Sequence, residues 1–211
     1  MIFFDAGGTL VLQHHLEAGE TLGIDIDGDL AFEAHYRAMS EFSNMKLAGN
    51  DATWEWWQER YYALVGHPSP ASAGPMLDNG RGLWSYPIPG VIEAVVRIGT
   101  SGVRVAVISN SDGSVEESLH RAGFADVFEA ILDSAVIGAS KPDRAIFDLA
   151  CARLGVEPDE CWYVGDSEYH DIGGAVDAGF AAAWLIDPLG LGTTANTIRS
   201  VAELPDLLEI K

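Results

Sequence analysis

Residues 103–113, Val103-Arg104-Val105-Ala106-Val107-Ile108-Ser109-Asn110-Ser111-Asp112-Gly113, decide the fold class. A β-branched run of strand length ends in a polar cluster able to turn the chain and cap a helix packed through Val115, Leu119 and Ala122. Gly123 then stops that helix. The rhythm repeats downstream. Ala130-Ile131-Leu132 reads as a strand. Lys141-Pro142-Asp143 opens a helix, with Pro near its first turn and a stripe of Ile146, Leu149, Ala150 and Leu154. Cys161-Trp162-Tyr163-Val164 is a strand followed by a Gly-rich helix, Ala181 to Ile186 is a further buried strand, and Val201 to Ile210 suggests a terminal helix. Strands alternating with helices predict βαβ units around a parallel sheet, so the class is α/β.

Upstream, residues 12–87 carry helical patterns separated by breaks containing Gly, Asp and Pro, with no strand-like run. One helix starts after Asp27 or Asp29 and presents Phe32, Tyr36 and Met39; another starts near Asp51 and presents Trp54, Trp57, Tyr61 and Leu64. The expected division is a Rossmann-like core at 1–11 and 88–211, interrupted by a helical insert at 12–87. Four of the six Trp (Trp54, Trp56, Trp57 and Trp84) fall in the insert, where a small bundle core needs large side chains. Pro87-Ile88-Pro89-Gly90 reads as a stiff return linker.

With 211 residues, 12 Lys+Arg against 32 Asp+Glu and a net charge of −20, the chain can bury a core and repels polyanions. Nucleic acid and anionic membranes are unsuitable partners. No apolar run approaches the roughly 18 to 20 residues that span a bilayer. Cys151 and Cys161 lack CxxC spacing or scaffold density, which points to a reducing compartment. The chain is expected to be soluble and cytoplasmic.

In open α/β sheets ligands sit at the carboxyl ends of the strands, so the residues that stop each apolar run carry the chemistry. Asp5 closes Ile2-Phe3-Phe4, and Gly7 and Gly8 let the backbone fold back beside its carboxylate. That carboxylate can attack phosphorus or an alkyl carbon. Ser109 offers a hydroxyl, and the amides after it suit a phosphoryl oxygen. Lys141, one of three lysines, can neutralise a phosphoryl group, while Asp166 and Asp171 are hard oxygen ligands suited to Mg²⁺. Asp171 can also pair with Lys141. Glu168, Tyr169 and His170 read as rim residues, and His14 and His15 as an exposed pair near the mouth of the cleft.

Four segments in this order, Asp5-Ala6-Gly7-Gly8-Thr9, Val107-Ile108-Ser109-Asn110, Ser140-Lys141-Pro142-Asp143 and Val164-Gly165-Asp166-Ser167 through Asp171, resemble the signature of the haloacid dehalogenase-like superfamily. The resemblance covers nearly the whole chain. It implies that the insert is a substrate-selecting helical cap, that Asp5 is a nucleophile, and that Ser109, the Asn110 amide and Lys141 hold the transferring group. It also implies catalytic roles for Lys141 and Asp171, and Mg²⁺ on Asp5, Asp166 and the Gly7 carbonyl. The expected substrate is a small phosphorylated metabolite. One position departs from the pattern: Gly7 stands where phosphatases of the superfamily carry a second Asp that protonates the leaving oxygen and activates water. Such proton transfer contributes about 10² to 10⁴ in rate. The departure keeps three other readings open: a 2-haloacid dehalogenase, a phosphonatase using Lys46 as a Schiff-base lysine, and a catalytically silent binding protein.

Overall fold

The computed structural model describes residues 1–77, 83–124 and 126–210. Six strands form one parallel sheet: β1 (Ile2–Phe4), β4 (Val105–Ser109), β5 (Ile131–Asp133), β6 (Trp162–Gly165), β7 (Ala182–Ile186) and β8 (Thr197–Ile198). Their order is β5-β4-β1-β6-β7-β8. The short strands β2 (Val11–Leu12) and β3 (Tyr86–Pro87) make an antiparallel pair outside it. β1 lies at the centre, with Phe3 opposite Ala106 on one side and Tyr163 on the other. The chain builds outward from β1 first to β4 and β5 and then to β6, β7 and β8, so the change of direction falls beside β1, where a crevice opens at the strand ends.

Both faces of the sheet are covered, which is why its strands read as near-continuous apolar runs. The strand period of two sends Ile2, Phe4, Val105, Val107 and Val164 to one apolar layer and Phe3, Ala106, Ile108 and Tyr163 to the other. The first layer packs against α5 (Val91–Thr100), α6 (Val115–Ala122) and α10 (Leu204–Leu207); the second packs against α8 (Arg144–Leu154) and α9 (Gly174–Ala178). A short α7 (Ser134–Ile137) follows β5.

Between β2 and β3 run α1 (His15–Leu22), α2 (Gly28–Leu47), α3 (Trp54–Leu64) and α4 (Pro70–Leu77). They enclose a third apolar cluster that includes Ala34, Met39, Phe42, Trp57, Tyr61 and Tyr62. The Asp27 carboxylate accepts a hydrogen bond from the Leu30 N–H at 2.9 Å and fixes the start of α2. Thr53 does the same for α3 through the Trp56 N–H at 3.4 Å.

Several elements depart from the sequence reading. Residues 12–87 were expected to hold no strand, yet Leu12 pairs with Tyr86 and Val11 with Pro87. Two residues are too few to show a period, and Pro87 can stand there because its missing N–H is not needed in a two-stranded ribbon. Pro142 precedes α8 rather than entering it; Asp143 caps the helix by accepting from the Ala145 N–H at 2.9 Å. The buried side of α8 is Ile146, Phe147, Ala150 and Cys151, leaving Leu149 exposed. The segment after β6 opens as a π-helical turn over Glu168–Gly173 before α9. The terminal segment divides into a 3₁₀ turn, Val201–Glu203, and α10, because Pro205 has no N–H to continue a single helix. No helix among the described residues is long and apolar enough to cross a membrane.

Phe3 is fully buried in the central strand, edge-on to Phe180 with ring centroids 5.6 Å apart. Phe3→Ala should lower unfolding stability by about 3–5 kcal/mol in urea titrations; a loss under about 1 kcal/mol would mean that the layer repacks around the void.

Candidate active site

The strand ends β1, β4 and β6 and the loop after β5 converge on a cavity of about 700 Å³. Asp5, Gly7, Ser109, Asn110, Lys141, Asp166 and Asp171, drawn from four separate stretches of sequence, all line it. Asp5 follows β1, and its N–H donates to the Val164 carbonyl at 2.9 Å, which locks the residue to β6. Gly8 sits at φ +75°, and a Cβ there would lie 2.0 Å from Asp166 Oδ2. Only glycine brings the first loop this close to the fourth segment.

Lys141 is buried, and its ammonium donates to Asp171 Oδ1 at 2.6 Å, Asp5 Oδ1 at 2.7 Å and the Tyr163 hydroxyl at 3.0 Å. Its position is set twice by the Asn110 side chain. Asn110 Oδ1 accepts from the Lys141 N–H at 2.8 Å, and Nδ2 donates to the Lys141 carbonyl at 2.9 Å. Asp171 spends its other oxygen on the Ser167 N–H at 2.9 Å. Asp171 therefore orients the lysine and its own loop. The loop after Ser109 is fixed by Asp133, which accepts from the Gly113 N–H at 3.0 Å.

Burial alone would depress the Lys141 pKa, but the Asp171 and Asp5 carboxylates more than offset it and hold the ammonium protonated. Burial pushes Asp5 up to about 7, against the pull of Lys141 and reinforced by the negative charges of Asp171 and Asp166. Asp166 is raised by burial too, opposed by its hydrogen bond to His35. Burial lowers His170 to about 4.

Sequence reasoning missed five contributors. His35, on the buried side of α2, brings Nε2 to 2.7 Å from Asp166 Oδ2. Tyr163 completes the acceptor set of Lys141 and donates to the Ile108 carbonyl at 2.9 Å. Ser43 of α2 meets Ser167 with oxygens 3.0 Å apart. Trp84 and Trp54 line the cavity instead of serving only as bundle core, whereas Trp57 is buried as expected. The signal for His35 was available only in part: the neighbouring stripe of Phe32, Tyr36 and Met39 marked a packed face of the helix, but nothing local names a partner 131 residues away. Glu168 is no rim residue; it is buried and accepts from the Thr193 N–H, the Thr193 hydroxyl and the Thr194 N–H at 2.8–2.9 Å. His170 stacks on Phe42, with centroids 5.5 Å apart. Lys46 reaches the cavity wall with its ammonium 5.9 Å from the centre of the Tyr169 ring. His14 and His15 pack on Tyr86 and do not line the cavity.

A family model described as haloacid dehalogenase-like hydrolase matches residues 1–179. This chain belongs to that family. The haloacid dehalogenase-like hydrolase is 31% identical over 164 residues to the mouse haloacid dehalogenase-like hydrolase domain-containing protein 3, matching 74% of this chain and 65% of that relative. It is 27% identical to the pyrimidine 5'-nucleotidase YjjG of Escherichia coli, over 98% of this chain and 96% of that one. Its fold is shared with the HAD-hydrolase YfnB of Bacillus subtilis, a crystal structure bound to magnesium, at a TM-score of 0.71, 19% identity and coverage of 99% and 98%.

The hydrolase's acidic side chains suit a hard divalent cation. Carboxylate oxygens of Asp5, Asp166 and Asp171 lie within 4.8 Å of one another, all three residues buried. Lys141 pairs with Asp5 and Asp171 and His35 engages one oxygen of Asp166, which leaves carboxylate oxygens of Asp5 and Asp166 as hard donors of the kind that Mg²⁺ takes. Because Asp171 has both oxygens engaged, Asp5 and Asp166 are the carboxylates that would hold the ion.

Without metal, the native state keeps a proton on Asp5 that the unfolded chain releases near pH 3.8. That contribution to stability is full at low pH and is lost as pH rises toward about 7. Asp5→Asn removes the titration, so its stability advantage over wild type should grow between pH 4 and 7, by at most about 1.4 kcal/mol per pH unit, and level off above. Urea titrations in chelator at several pH values measure it; a pH-independent difference would mean that Asp5 is not held protonated.

Proposed function

We propose that this hydrolase is a Mg²⁺-dependent phosphatase acting on a small phosphorylated metabolite through a phosphorylated Asp5. The observation that carries the reading is the placement of the Asp5 carboxylate at 2.7 Å from the Lys141 ammonium, at the floor of a cavity whose other polar wall is Ser109, Asn110 and Asp166. One Asp5 oxygen attacks phosphorus, the bond to the leaving oxygen breaks with its electron pair, and water later attacks the phosphorus to return Asp5 as carboxylate. Lys141 neutralises charge on the transferring group while Asp171 and Tyr163 hold its ammonium in place. The Ser109 hydroxyl and the amides of the loop that follows orient the phosphoryl oxygens. Mg²⁺ held by Asp5, Asp166 and the Gly7 carbonyl would supply the remaining countercharge. Helices α1 to α4 form the cap that selects the substrate; α2, α3 and the segment around Trp84 furnish the apolar wall. The nucleotidase name of a relative matched over nearly its full length supports phosphoester hydrolysis.

The second reading is 2-haloacid dehalogenation, favoured by Gly7 and the aromatic side chains around it, since a halide departs without a proton. With Mg²⁺ present, wild type should release phosphate from 4-nitrophenyl phosphate, and Asp5→Asn should release none while remaining folded by circular dichroism. Turnover retained in a folded Asp5→Asn protein dismisses the Asp5 mechanism. Chloride release from 2-chloropropionate without metal, in place of phosphate release, selects the second reading.

A further inference from the structure

Position 7 is not an empty gap. A Cβ built on Gly7 would lie 3.1 Å from Cζ3 and 3.2 Å from Cε3 of Trp84, closer than side chains normally approach. The indole packs against Trp57, His35 and Trp54, with ring centroids 5.7, 5.8 and 6.4 Å away, and it also borders the cavity. The backbone at Gly7, unlike that at Gly8, lies outside the left-handed region, so contact with the ring is what opposes a side chain there. Two proton carriers in the same cavity are already engaged: His35 Nε2 faces Asp166, and the Lys141 ammonium is shared among Asp5, Asp171 and Tyr163.

We propose that Trp84 is the specificity-determining residue of the site, filling with an indole the space beside Asp5 that a side chain at position 7 would take. The inference rests on the phosphatase reading and names its substrate class. Suitable substrates are phosphoryl donors whose leaving group departs as a stable anion, such as acyl or electron-poor aryl phosphates. When Asp5 oxygen bonds to phosphorus, the electron pair of the breaking P–O bond stays on the leaving oxygen, which takes no proton in that step. In the second step water bonds to phosphorus, the Asp5 oxygen recovers its pair, and the proton of the water passes to solvent.

The test is a double-mutant cycle at positions 7 and 84, assayed with Mg²⁺ on aryl phosphates from 4-nitrophenyl to phenyl and on glycerol phosphate. Wild type should slow steeply as the leaving group becomes more basic. Gly7→Asp alone should not raise glycerol phosphate turnover, whereas the same change in a Trp84→Ala background should raise it by about 10-fold or more over Trp84→Ala alone, toward the 10² to 10⁴ that proton transfer contributes. Trp84→Leu is the second probe should the Ala variant not fold. Thermal melts without substrate give an independent readout: Gly7→Ala should lower the melting temperature in wild type but not beside Trp84→Ala or Trp84→Leu. Equal effects of the position 7 changes in both backgrounds, or wild-type turnover of glycerol phosphate matching 4-nitrophenyl phosphate, overturn the proposal while leaving the phosphatase reading intact. No phosphate release by any variant sinks that reading and the proposal with it.

Discussion

The Lys141 ammonium bonds Asp5 after β1, Asp171 in the π-helical turn and the Tyr163 hydroxyl on β6 within 2.6–3.0 Å, and so joins three segments that meet nowhere else in sequence. Three buried acids in one pocket repel one another, and removing the shared cation would leave them uncompensated at a cost of about 3–5 kcal/mol. The lysine is not free to choose its position either. Asn110 grips its backbone from the end of β4, so the distance between the second and third segments is fixed by two hydrogen bonds. This one charge both orders the loops and pulls the Asp5 pKa down against the effect of burial.

Helix α2 extends that constraint to the insert. His35, Met39, Phe42 and Lys46, spaced four, three and four residues apart, lie along one helical face and line the cavity. The same helix binds the loop of the fourth segment through His35 to Asp166 and Ser43 to Ser167, and the Tyr36 hydroxyl donates to the Gly8 carbonyl at 2.8 Å. The cavity is therefore shaped by the same docking that positions Asp166. Its apolar wall and its acidic floor are a single packing arrangement, and a change in one face of α2 is felt by both.

The strand-end residues were legible because an apolar run that stops at a polar residue marks a strand leaving a covered sheet, and a parallel sheet places all such ends along one edge. Asp5, Ser109 and Asp166 could thus be singled out from the sequence, Lys141 and Asp171 followed from their chemistry and their order among the four segments, and the structure brings all five together. Within the insert, α2 and α3 were legible from Asp27, the break before Trp54 and the aromatic stripes, whereas α1 and α4 were not singled out. The short pair β2 and β3 was not, since two residues carry no period. Glu168 read as a surface charge because its partners, Thr193 and Thr194, lie 25 and 26 residues away in a loop without a motif.

By itself the sequence determined the α/β class, the order of the four segments and the absence of a carboxyl at position 7, all of which reside in local pattern and residue identity. Only the tertiary structure decided what stands in place of that carboxyl. Trp84 comes from the far end of the insert, 77 positions along the chain from Gly7, and its edge reaches Gly7 because helix packing and the β2–β3 pairing return the chain to its point of departure. The pairing of His35 with Asp166 arose in the same way. Contacts between residues so distant in sequence depend on how whole elements dock, and docking is set by the summed burial of many side chains, which no single stretch of sequence contains.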